Sequence, residues 1–394
     1  MAPRTLLIPS FLDDHFPLLR HAFDSDRWQP ILLPPEAGLA DLGLRYIHSE
    51  MCYPAILIAG QILRALGSGR YDPARCGVLV GQVGDECRGS CLIRLLRRAL
   101  DRAGYQATAL VSLNIRGIDR PDRLTLHPAM VGKALAAAVW GDALAVARDQ
   151  TRPLEARPGA ALALWSEWMD ELGAQLTHVP SRREILRRCE EITDSFRRLE
   201  TVDRPVQDVA VAGELYTKNC RLGNWGLRDY LAQNGCRVHV GGLTWQSLYF
   251  MDTRTLKGPA AHRAAYRAVR CAAAALQQDL VDILRGGGFR TLPPLPRLKA
   301  ESVGLAPLNV TVADGWLIAA EAAGWARQGC RKILCVQPFA CLPGHIFGKG
   351  QYAALQRKLP GVRLVSVDYD ASTGEGTVQS RVRMLLDESM EPSF

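Results

Sequence analysis

Short, nearly continuous apolar runs alternate along this chain with longer stretches in which apolar residues recur every three or four positions. The short runs predict strands at Thr5 to Pro9, Pro30 to Leu33, Gly77 to Gln82 and Ala107 to Leu113 in the first half. In the second half they fall at Val209 to Glu214, Arg237 to Gly241, Lys332 to Gln337 and Arg363 to Asp368. Strands apolar on both faces belong to sheets covered on both sides, and helix-sized segments separate them, so each group predicts a small parallel sheet. The expected fold class is α/β, with two doubly wound domains.

Residues 126–205 carry helical patterns, among them PAMVGKALAAAVWGDALAVARD and REILRRCEEITDSFRRL, and no convincing strand. The reading is therefore a first α/β domain over 1–125, a helical insert or connector over 126–205, and a second α/β domain over 206–394. A second helical stretch, Ala260 to Leu284, runs into RGGGFRTLPPLPRLK, whose glycines and prolines mark a connection. Length agrees, since 394 residues exceed what one hydrophobic core usually serves.

Composition is that of an ordinary globular protein, 48% apolar and 22% charged. No apolar run approaches the roughly 20 residues that span a bilayer, and MAPRTLLIPSFLDDHF turns acidic before a signal-peptide core forms. A cytoplasmic protein without a membrane partner is expected. The net charge of +8 lies largely in helical patterns such as RLLRRALDR and SRREILRRCEEI, which read as solvated faces. Without a basic stripe interleaved with aromatics, nucleic acid is not an expected partner; an acidic protein or a CoA phosphate fits the charge equally well.

Eleven cysteines change the picture. A reducing compartment disfavours structural disulfides, which leaves metal binding or simple burial. Zinc would call for paired CxxC knuckles or a Cys/His alternation, and neither occurs, whereas iron-sulfur ligation accepts scattered cysteines that the fold gathers. Cys52, in HSEMCYPAILIAGQILRAL, lies just before a proline able to open a helix. Cys87 and Cys91, in GVLVGQVGDECRGSCLIRLLRRAL, follow a strand end; a helix starting near Arg88 would point both thiols to one side. Cys335 and Cys341, in KILCVQPFACLPGHIFGKG, sit at a strand end and in the loop after it. Open α/β sheets bind ligands at such places, and helix N-termini there favour an anionic cluster or thiolate.

Cys220, in YTKNCRLGN, is a further candidate at a strand end, while Cys76, Cys189, Cys236, Cys271 and Cys330 read as structural. His345, Glu50 and Asp85 are weak acid/base candidates beside the cysteine loops, with loop-stabilising or helix-start roles as the alternative. GHIFGKG is not a phosphate loop, because Gly344 and Gly348 are too close and Gly350 replaces the needed hydroxyl residue.

The blocks HSEMCYPAILIAGQI, GQVGDECRGS before LRRALDRAGY and VSLN, VAVAGELY, DGWLIAAEA, CVQPFACLPGHIFGKG, and VDYDASTGEG before QSRVRMLL follow in order from Leu6 to about Leu386. Together they resemble the dehydratase-like portion of the 2-hydroxyacyl-CoA dehydratase activase family, including its double-cubane cluster relatives. The resemblance implies an oxygen-sensitive cluster, 4Fe-4S or double cubane, reduced by a separate ATP-dependent activator. It implies reduction of a small molecule or an acyl-CoA, or radical dehydration of a 2-hydroxyacyl-CoA, by a homo- or heterodimer. Ligand roles carry over to Cys52, Cys87, Cys335 and Cys341. Two departures stand out. Val312 precedes Ala313, Asp314, Gly315 and Trp316 where relatives have a cysteine, and Cys91 replaces a residue without a thiol, so Cys91 is a candidate to restore the missing ligand. The loss at Val312 also suggests an alternative of another class, a non-catalytic cluster scaffold or regulatory partner.

Overall fold

A computed structural model describes residues 3–81, 87–112, 122–123, 127–255 and 260–387. Two parallel sheets organise them. The first contains β1 (Arg4–Ile8), β2 (Trp28–Leu32), β3 (Cys76–Val80), β4 (Ala109–Ser112) and the two-residue β5 (Asp122–Arg123), in the order β2-β1-β3-β4-β5. The second contains β6 (Gln207–Gly213), β7 (Cys236–Val240), β8 (Lys332–Pro338) and β9 (Arg363–Tyr369), in the order β7-β6-β8-β9. Every pairing is parallel. The doubly wound α/β expectation holds, with all eight expected strands present, and β5 is the addition. Gln82 and Leu113, the expected ends of two strands, lie outside the described residues.

In both sheets the chain moves to one side of a central strand and then returns to the other. β1 lies between β2 and β3, and β6 between β7 and β8, so each sheet has a switch point where a crevice opens beyond the strands' carboxyl ends.

Strand alternation feeds three cores. Leu6 and Ile8 join one core with the long helix Pro128–Thr151, and Leu7 joins another that also takes Val209, Val211, Leu334 and Val336 from the second sheet. Ala210, Ala212, Ile333 and Cys335 face the third, packed on the helix Gly315–Arg327. The helices of the expected connector, Pro128–Thr151, Ala160–Gln175 and Arg182–Arg197, cover one face of the first sheet and share their core with Ala260–Gly286.

Contrary to the reading of apolar runs, the segment Pro128–Leu154 is long and apolar enough to cross a membrane by length and composition. Here 56% of its apolar window is buried inside the protein, and Asp142, Arg148, Asp149 and Arg152 are paired. Asp142 meets His15 at 2.8 Å and accepts from the Leu243 and Thr244 amides, while Arg148 pairs with Asp14 and Asp149.

Cys52 owes its position to a close helix crossing. The helices Leu39–Leu44 and Tyr53–Gly67 meet backbone to backbone: a Cβ on Gly60 would lie 1.9 Å from the Leu39 carbonyl oxygen, and one on Gly43 2.1 Å from that of Ile56. Gly60→Ala must push the helices apart and is expected to cost roughly 1–3 kcal/mol by overpacking. A lowered urea midpoint at unchanged slope checks this; an unchanged midpoint refutes it.

Candidate functional site

Three thiols reach one cavity. Cys52 is the N-cap of Tyr53–Gly67, with Pro54 in the first turn, where a missing N–H costs nothing. Cys87 is the N-cap of the 3-10 turn Arg88–Cys91; its amide donates to Ser90 Oγ at 3.1 Å, and that hydroxyl lies 3.7 Å from Cys87 Sγ. Cys341 follows β8 through a tight turn in which its amide donates to the Pro338 carbonyl at 3.0 Å. Ala340, just before it, has φ 53°, a left-handed conformation costly for a residue with a Cβ and of a kind that clusters at functional sites.

All three line a cavity of about 250 Å³. Its walls come from the carboxyl ends of β1 and β3 (Ile8, Val80) and of β6 (Glu214), and from the Cys341 loop after β8. The two switch points thus face one shared space. Most of the wall is apolar, including Phe11, Ile58 and Phe250, and two carboxylates stand in it, Glu214 and Asp314.

Each carboxylate is fixed by its local fold. Glu214 caps the short helix Leu215–Asn219, accepting from the Tyr216 and Thr217 amides at 3.0 and 2.8 Å and from the Thr217 hydroxyl at 2.7 Å. Asp314 precedes Gly315–Arg327 between two left-handed residues, Ala313 (φ 43°) and Gly315 (φ 36°). It accepts from Gln246 Nε2 at 2.8 Å and from the Leu215 amide at 3.4 Å.

Electrostatics binds these groups together. Burial, and then Glu214, pushes the Cys52 thiol far up, and the same two causes in the same order raise Cys341. Burial raises Cys87 as well, against the Ser90 and Gly89 hydrogen bonds that favour its thiolate. Asp314 is pushed up to about 7, by burial first and the Glu214 charge second. The upward shifts favour the protonated thiols and so weaken all three as nucleophiles.

The expected ligands divide. Cys335 does not line the cavity. β8 runs on to Pro338, so Cys335 is a mid-strand residue that alternation turns into the third core with Ile333, beside Tyr352. Burial pushes its thiol up to about 11. Cys91 is exposed, its Sγ 3.4 Å from the Arg88 carbonyl. The first turn is 3-10 and the α-helix Leu92–Arg102 starts only after Cys91. At three residues per turn, a four-residue step rotates about 120° instead of the roughly 40° of an α-helix, so Cys91 leaves the side that Cys87 occupies.

Cys220 is fully buried outside the cavity, and burial, followed by Asp13, pushes its thiol up to about 12. Cys76, Cys189, Cys236 and Cys330 are buried as structural residues should be, whereas Cys271 is exposed. His345 is tied to the Cys341 carbonyl at 2.9 Å and lies 3.5 Å from Asp368; neither it nor the exposed Glu50 lines the cavity. Asp85 lies outside the described residues. The acids among the described lining residues are Glu214 and Asp314, neither of which is among the acid/base candidates that the sequence offers. Their signal is position, since Glu214 directly follows a strand and Asp314 precedes a helix.

No family model and no curated protein matches the chain.

Among the described residues, no three His, Cys, Asp or Glu side chains stand close enough to hold one metal ion between them. A cluster of several irons and sulfides spreads its thiolates further apart than one ion does. Three soft sulfur donors spaced around a cavity fit such a cluster better than a mononuclear site. Loading would displace the thiol protons, so affinity should rise with pH.

Exposure and thiol acidity together set the alkylation order. With metal-free protein at pH 7.5, iodoacetamide is expected to modify the exposed Cys91 and Cys271 first. Cys52, Cys87 and Cys341 should follow slowly and speed up with rising pH, because only the thiolate reacts. Peptide mass mapping reads the order; early modification of Cys341 at pH 7.5 contradicts it.

Proposed function

We propose that this chain is a cytoplasmic iron-sulfur protein of the 2-hydroxyacyl-CoA dehydratase type, with its cluster held by Cys52, Cys87 and Cys341. A separate ATP-dependent activator would deliver low-potential electrons for reduction of a small molecule or an acyl-CoA. The observation that carries this reading is the convergence of three thiols, from strand-to-helix junctions of both sheets, on one cavity between the two switch points.

A bound cluster would supply one-electron reducing power, and three thiolates would leave room for a ligand other than cysteine. The mostly apolar walls lower the local polarity around the thiols. Asp314, its carboxyl raised to about 7, holds or gives up a proton near neutral pH, which suits proton delivery during a reduction. Leu342, at the cavity's edge, and Phe339 and Ile346 beside it expose apolar surface around the Cys341 loop, where an electron-donating protein would dock. The free state of all eleven cysteines accords with a reducing compartment.

Val312 and the withdrawn Cys335 favour a second reading, a cluster scaffold without turnover. Anaerobic reconstitution with iron and sulfide, followed by EPR, tests the shared premise. Roughly four irons indicate one cubane and roughly eight a double cubane; a colourless protein carrying stoichiometric zinc defeats both readings. Activator-dependent reoxidation by substrate then separates enzyme from scaffold.

A further inference from the structure

Arg88 follows Cys87 directly and opens the 3-10 turn. Its guanidinium forks between two other segments: Nη1 donates to the Glu50 carbonyl at 2.5 Å, and Nη2 donates to the Phe339 carbonyl. Each acceptor stands two residues before a thiol of the cavity, Glu50 before Cys52 and Phe339 before Cys341. The contacts close separations of 38 and 251 residues, the second crossing from the first sheet's unit to the second's. One side chain thus touches all three loops that carry the thiols, and it lines the cavity they share.

Arginine suits this task because its planar fork presents several N–H groups in fixed directions, whereas a lysine acts from one point. We propose that Arg88 is a positioning residue, an interdomain clasp that assembles Cys52, Cys87 and Cys341 into one ligand set. The clasp rests on reading the three thiols as one set, but not on which metal fills it. Nor does the fold depend on it. The two units are also joined by a buried network in which Asp14 pairs with Arg148 and, at 2.6 Å, with Arg228, which reaches Asp149 at 2.9 Å.

Anaerobic reconstitution of the full-length protein with ferrous iron, sulfide and a thiol reductant is a suitable probe, because a cluster spans thiols that stand too far apart to share one ion. Iron and sulfide per folded chain are counted, the EPR spectrum is recorded, and the rate of iron loss to a chelator is followed. Cys341→Ser assigns the signal to the cavity, and circular dichroism verifies folding. Wild type should take up iron and sulfide and show a cluster spectrum. Arg88→Ala should lose its iron to the chelator at least ten-fold faster. Arg88→Lys, which keeps the charge but loses the fork, should show the same loss. Wild-type iron content and chelator resistance in Arg88→Ala would overturn the clasp while leaving the ligand set standing. Full rescue by Arg88→Lys would overturn it in favour of a simple charge effect on Cys52. If wild type takes up no cluster, or Cys341→Ser keeps it, the ligand set fails and the clasp fails with it.

Discussion

Lys218→Met is expected to lower the free energy of unfolding by about 3–5 kcal/mol at neutral pH, because it leaves a buried carboxylate without its counter-charge. Lys218 Nζ donates to both oxygens of Glu321, at 2.8 and 2.7 Å, and neither side chain is more than 1% exposed. The glycine backbone after β7 packs against this carboxylate: a Cβ on Gly241 would lie 2.2 Å from Glu321 Oε1, so the variant has little room to rearrange. Burial raises the Glu321 carboxyl above its ordinary value, and Lys218 is the group that opposes this. An acid whose folded pKa is raised gives stability that is full below its unfolded pKa and lost as pH rises through its folded pKa. Removing Lys218 raises Glu321 further, so the deficit should be largest at neutral pH and shrink on acidification. Urea unfolding at pH 7.5 and pH 5 measures both points. A loss below about 1 kcal/mol, or a deficit that grows towards pH 5, would contradict the account. Lys218→Met combined with Glu321→Met should recover most of the loss, since replacing both partners of a buried pair by apolar groups is often neutral.

The pair matters beyond stability. Lys218 belongs to the helix that Glu214 caps, and Glu321 to the helix that follows Asp314. It thereby joins the two elements that place carboxylates in the cavity, and its positive charge restrains the upward shift of Asp314.

Both sheets could be read in the sequence because the middle strands carry buried apolar runs, at 6–8, 77–80, 209–212 and 333–336, covered on both sides. β2 and β7 begin one or two residues before the expected starts, and β9 ends one residue late, the usual uncertainty of strand ends. β5, at two residues, is too short for any period to register.

The site was less legible, because it depends on facing. A one-residue change along a strand reverses the side a residue faces, so placing Cys335 near a strand end hid its orientation into the third core. For Cys91 the deciding fact is a 3-10 first turn, which sequence spacing does not distinguish from an α-turn. Glu214 and Asp314 lie 100 residues apart, by 314 − 214, and share a cavity only once the second sheet's switch point has gathered its loops. The helix Pro128–Thr151 concealed its length as an apolar element behind Asp142, Arg148 and Asp149, whose partners His15, Asp14 and Arg228 come from distant segments.

Cys341→Ser and Cys335→Ala should behave in opposite ways, and together they decide between the four-cysteine expectation and the three-thiol cavity. Cys341 lines the cavity, and burial and Glu214 keep its thiol protonated until a cation displaces the proton. A serine hydroxyl is a harder and far less acidic donor, so after anaerobic reconstitution Cys341→Ser should lose most of its iron and its EPR signal, as should Cys52→Ser and Cys87→Ser. Cys335 sits in a closed core beside Tyr352, on the opposite face of β8 from Leu334 and Val336. Replacing it with alanine removes one buried sulfur and should cost about 1–2 kcal/mol, with iron per folded chain and EPR line shape unchanged. Iron and sulfide analysis on samples matched for folded fraction separates the effects, because a destabilised but intact site keeps its iron-to-protein ratio. Should Cys335→Ala strip the iron while Cys341→Ser keeps it, the cavity between the two switch points would not be the metal centre.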